Sequence, residues 1–104
     1  MNKFDKQLER NLKGIELEKA GKVDEAIRLY EQNIEENFIG NYPYDRLAII
    51  YRKRESLDEE IRVLEKAVWV FENIVSKIRS DRIPKLERFK KRLEKARTLK
   101  INER

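Results

Sequence analysis

Apolar side chains recur every three or four residues along most of the chain, the spacing of one face of an α-helix, and the pattern is interrupted four times. From Lys3 to Ala20 the stripe is Phe4, Leu8, Leu12 and Ile15, which predicts an amphipathic helix ended by Gly21 as a left-handed cap. A second helix starts within three residues. Asp24 and Glu25 occupy its first turn, where carboxylates suit the positive end of the helix dipole, and Val23, Ile27, Tyr30 and Ile34 carry its stripe to about Glu36. Residues 37–42, containing Gly40 and Asn41, read as a loop, and Pro43 fits the first turn of a third helix reaching about Lys53. The fourth helix is expected to begin at Leu57 and to run unbroken to Ser80. It has one stripe of Ile61, Leu64, Val68, Phe71, Val75 and Ile78 and another of Val63, Ala67, Val70 and Ile74. So wide an apolar arc predicts burial on two sides. Ser80 or Asp81 can cap a fifth helix with Pro84 in its first turn; Leu86, Phe89, Leu93 and Ala96 face the core, and residues beyond about Leu99 are expected to fray.

Two of these stretches are alike. At an offset of 34 residues Asp24 matches Asp58, Glu25 matches Glu59, Ile27 matches Ile61, Arg28 matches Arg62 and Glu31 matches Glu65, and Leu29/Val63 and Ile34/Val68 keep apolar character. A period in this range is the signature of stacked helix pairs. Gly14, Leu17, Gly21, Val23, Ala26 and Tyr30 in the first unit, with Tyr44, Leu47, Ala48, Tyr51, Leu57, Leu64 and Ala67 in the second, resemble the tetratricopeptide repeat over about two-thirds of the chain. The sequence departs from that pattern at Asn33, Glu55 and Glu60 and at the missing closing prolines. The resemblance implies an all-α fold of two tetratricopeptide-like hairpins stacked right-handed. The units span residues 5–38 and 42–79, and a basic capping helix at 82–100 completes a single domain over 1–104. Two units are fewer than such stacks need to bury a continuous core, so the fifth helix is expected to cover the open end, with dimerisation through the same face as the alternative.

Composition narrows the function. Charged residues make up 43% of the chain and only three Gly and two Pro are present, a profile of solvated helices. Cysteine and histidine are both absent, which removes thiol chemistry, disulfides, the commonest metal ligands and the usual general base. With no phosphate-binding Gly-rich loop either, no enzymatic activity and no cofactor are expected. No apolar run suits a signal peptide or a membrane span, so a cytoplasmic protein without membrane contact is expected. The net charge of +5 is unevenly spread: residues 1–75 hold 13 basic and 16 acidic side chains, residues 76–104 hold 12 and 4.

Three groups of residues are candidates for contact with a partner. The resemblance implies that the first helix of each pair lines a concave groove. Asn11, Ile15 and Lys19 then lie beside Asp45, Arg46, Ile49, Arg52 and Lys53, an apolar floor with a basic edge that suits an amphipathic helix or an acidic peptide; the two isoleucines could equally be core. Trp69 has Arg62, Glu65, Lys66, Glu72, Asn73 and Ser76 as helical neighbours, so an aromatic ring stands on a polar face. Such rings anchor interfaces, or tuck beneath an adjacent helix. Lys85, Arg88, Lys91, Arg92 and Lys95 form a basic stripe that could neutralise phosphates or meet an acidic protein. No aromatic residue interleaves it, which favours a solvated face. A protein or peptide partner is therefore expected ahead of nucleic acid, with a homodimer as a third reading.

Overall fold

Gly21 and Glu55, 34 residues apart, both take a left-handed backbone conformation, with φ 79° and 58°. The turns around them are closed alike. Lys22 N–H donates to Leu17 O at 2.8 Å and Ser56 N–H to Tyr51 O at 2.9 Å, while Gly21 and Glu55 donate to Glu18 O and Arg52 O, each at 3.0 Å. These bonds satisfy carbonyls left over at the ends of two helices. In a computed structural model, which describes residues 1–103, the chain folds into five helices: α1 (Lys3–Lys19), α2 (Val23–Glu35), α3 (Tyr42–Lys53), α4 (Leu57–Asn73) and α5 (Arg82–Ile101). No strand occurs among the described residues, and none of these helices is long and apolar enough to cross a membrane.

Consecutive helices pack against one another, and ion pairs tie alternate ones: Glu18 to Arg46 between α1 and α3, Asp45 to Arg92 between α3 and α5, and Glu31 to Arg62 between α2 and α4. The result is a slab of two helix layers, α1, α3 and α5 on one side and α2 and α4 on the other, 18 Å in its thinnest direction. Its core runs from Ala26, Tyr30 and Ile34 through Leu47, Leu64 and Phe71 to Leu86, Phe89, Leu93 and Ala96, so α5 caps α4 with the residues its periodicity selects.

Two expectations fail. The face of α1 that packs on α2 is not its apolar stripe: Gln7, Asn11 and Gly14 are buried, whereas Phe4, Leu8 and Leu12 are 42%, 39% and 63% exposed. The reason lies in Asn33. This fully buried amide donates to Gln7 O and Asn11 Oδ1, both at 2.8 Å, and accepts from Arg10 at 3.0 Å, while Arg10 and Gln7 also reach Glu36. The Asn33 amide thus has both its oxygen and its nitrogen partnered, so burying it leaves neither unsatisfied. Secondly, α4 stops at Asn73, not near Ser80. Arg82 donates from its side chain to Phe71 O and Glu72 O, Asn73 Nδ2 donates to Trp69 O, and Arg79 holds Ile39 O at 2.6 Å. A guanidinium on the terminal carbonyls complements the negative end of the dipole. The chain then turns so that Val75 enters the core and Ile78 projects into solvent, 93% exposed.

Gly14 sets how closely the first pair approaches. A Cβ built there would stand 2.5 and 2.7 Å from ring carbons of Tyr30. Gly14→Ala is expected to cost about 1–2 kcal/mol by overpacking, although alanine is the better helix former. In a Tyr30→Leu background, which reproduces Ala48 and Leu64 of the second unit, the same change should stabilise by about 0.5–1 kcal/mol. Denaturant melts of the four chains check this coupling, and an equal cost in both backgrounds would clear the Tyr30 ring as the obstacle.

Candidate interaction surface

The layer of α1, α3 and α5 carries most of the residues expected to meet a partner. Ala48 and Ile49 form the floor of a depression between α3 and α5, bounded by Arg52, Lys53, Glu60, Arg92 and Lys95. Residues from the groove on α3 and from the basic stripe on α5 thus share one site. The register follows from packing: with Leu47 and Ala48 on the core and Phe89, Leu93 and Ala96 on α4, positions 49, 52 and 53 and positions 92 and 95 must turn outward.

Electrostatics divides these cations into two kinds. Arg52 donates from Nε and Nη2 to the two carboxylate oxygens of buried Glu60, both at 2.6 Å, and this bond holds its proton more tightly than usual. Arg92 pairs with Asp45, Arg88 lies 3.9 Å from the same carboxylate, and Lys85 pairs with Asp81 at 2.9 Å. Lys53, Lys91 and Lys95 form no ion pair among the described residues, which leaves Lys53 and Lys95 at the rim of the depression as charges open to a ligand. Three of the five residues of the predicted basic stripe therefore already lie within ion-pair distance of a carboxylate of the fold, Arg88 and Arg92 sharing the single charge of Asp45.

Toward α1, Arg46 is committed to Glu18, with Nη2 at 2.6 Å and Nε at 3.1 Å, and Tyr30 OH donates to the same carboxylate at 2.7 Å. Burial alone would raise the Glu18 carboxyl; Arg46 and Tyr30 outweigh it and hold it below the ordinary range. Burial and the neighbouring Glu18 push the Tyr30 hydroxyl far up, so it stays a donor. Arg46 is thus a tie between helices. Asn11 leaves the surface altogether, buried against Asn33. Ile15 is half-buried, Lys19 is exposed, and Ile49 is 37% exposed. Leu8, Leu12 and Leu99 add exposed apolar side chains that periodicity had assigned to the core or to a frayed end.

Trp69 lies elsewhere. Its ring is 46% exposed, with Lys66 Nζ 5.1 Å from its centroid, on the wall of a second groove between α4 and α5 lined also by Val68, Glu72, Leu93, Arg97 and Ile101. Neither the α1–α3–α5 layer nor a seat beneath α5 holds it. Comparison with protein-family models, with curated proteins and with solved structures returns no match.

Proposed function

We propose that the chain is a small tetratricopeptide-like interaction module that acts by binding rather than by chemistry, and that its α1–α3–α5 face holds an acidic amphipathic segment of a cytoplasmic protein. The observation that carries this reading is the depression between α3 and α5. It combines an apolar floor at Ala48 and Ile49 with unpaired cations at Lys53 and Lys95. An amphipathic helix with carboxylates flanking its apolar stripe would cover the isoleucine and meet both lysines. The repeat identity is supported by the matched left-handed turns at Gly21 and Glu55 and by the common 34-residue spacing of the helix starts at Val23 and Leu57.

The deciding experiment is affinity capture from lysate with the wild-type chain and with Ile49→Asp/Lys95→Glu, two exposed positions whose replacement leaves the core intact. Proteins retained by the wild type should be lost from the variant while both chains give the same thermal melt. Identical recovery removes the site from this face. A parallel titration with duplex DNA and single-stranded RNA should show weak, steeply salt-dependent retention at most. Tight retention that survives physiological salt would replace the protein partner with a nucleic acid.

A further inference from the structure

The groove between α4 and α5 is the repeat equivalent of a contact already made inside the molecule. On α2, Glu31, Ile34 and Glu35 border the cleft where α4 docks with Arg62 and Lys66. Thirty-four residues later stand Glu65, Val68 and Trp69, and these line the α4–α5 groove. In the first unit that position receives a helix; in the second it is open. Glu35, which is polar, is replaced by the largest aromatic side chain, so the open copy is more apolar than the filled one.

The charges around this groove identify its occupant. α4 and α5 run antiparallel, and cross-groove pairs join Glu72 to Lys90 at 4.0 Å, Glu65 to Arg97 at 2.8 Å and Asp58 to Lys100 at 2.8 Å. In every pair the acid is on α4 and the base on α5. A second copy related by a two-fold axis parallel to the groove would lay α4 antiparallel on the partner's α5, so each acid meets a base and the helix dipoles oppose. A two-fold axis across the groove would instead set α4 on α4 and carboxylate on carboxylate. The rim is also neutral, since Glu65, Glu72 and Glu94 are balanced by Lys66, Lys90 and Arg97, in a chain whose net charge of +5 otherwise opposes self-association.

We infer that the chain forms a two-fold dimer through this groove, with Trp69 and Val68 of each copy packed against Leu93 and Ile101 of the other in an antiparallel four-helix arrangement. The surface is separate from the concave face and does not rest on the function proposed for it.

Sedimentation equilibrium, with the emission of the single tryptophan, tests the dimer. The wild type should reach twice the chain mass as concentration rises, and its emission should shift to the blue over the same range. Trp69→Glu should remain monomeric with unchanged helical circular dichroism. Lys90→Glu/Arg97→Glu and Glu65→Lys/Glu72→Lys should each be monomeric alone and pair when mixed. A wild type that stays monomeric at millimolar concentration overturns the inference and leaves the groove to a foreign helix. A dimer that survives Trp69→Glu overturns it as well, as does failure of the two charge-reversed chains, each folded, to pair.

Discussion

Phe89→Ala lowers the unfolding free energy by about 3–5 kcal/mol, the expected loss when a fully buried phenylalanine is cut back. Its ring is 5.4 Å from Phe71 on α4 and 6.2 Å, edge-on, from Tyr44 on α3, so one side chain joins three helices. Nothing nearby can fill the space: Leu86 and Leu93 lie one turn away on the same helix, and Ala67 and Ala96 are too short. The consequence reaches beyond the cavity. A domain of this size holds only about 5–15 kcal/mol in reserve, and detaching α5 would uncover Phe71, on which Phe89 packs. The variant should therefore lose a large fraction of its helical signal at 37 °C, whereas Leu99→Ala on the exposed end of α5 changes stability by less than about 0.5 kcal/mol. Urea melts followed by circular dichroism check both. A cost below about 1 kcal/mol for Phe89→Ala would mean that α5 is not integral to the core.

The capping role of α5 was legible because Leu86, Phe89, Leu93 and Ala96 are apolar and surrounded by charge, so period and polarity agree. The turn at Gly21 was legible from its glycine, whereas Glu55 counted as a departure from the pattern and its left-handed backbone shows only in the fold. Phe4, Leu8 and Leu12 misled for a physical reason. Periodicity locates an apolar face but not what it packs against, and α2 offers α1 a buried amide at Asn33 instead of an apolar seat. Asn33 itself was visible only as a departure from the repeat pattern. The end of α4 was hidden because Arg79 and Arg82 act from outside the helix, on carbonyls at Ile39, Phe71 and Glu72 that no side-chain pattern records. In the candidate site, composition revealed the cations of α5, but only the fold distinguishes Arg88 and Arg92, which share the Asp45 carboxylate, from Lys53 and Lys95.

Arg52→Ala carries the second-largest expected effect, about 2–3 kcal/mol, because it strands the buried carboxylate of Glu60. Glu60 is nearly inaccessible, yet its partner's side chain is 37% exposed, so water entering beside the truncated residue keeps the cost below that of a wholly enclosed pair. Removing both partners should be far milder. Position 60 stands 34 residues after Ala26, where a small side chain is fully buried, and Arg52→Ala/Glu60→Ala is expected to recover about 1–2 kcal/mol of the loss as coupling energy. Four denaturant melts close this cycle, and additive costs would show that the two residues act independently. The same pair bears on binding. Glu60→Ala alone releases the Arg52 guanidinium at the edge of the depression that holds Lys53 and Lys95, adding a third open cation to it. If an acidic segment binds there, this variant should retain it more strongly than the wild type while being no more stable, and weaker retention would show that Arg52 serves the fold alone.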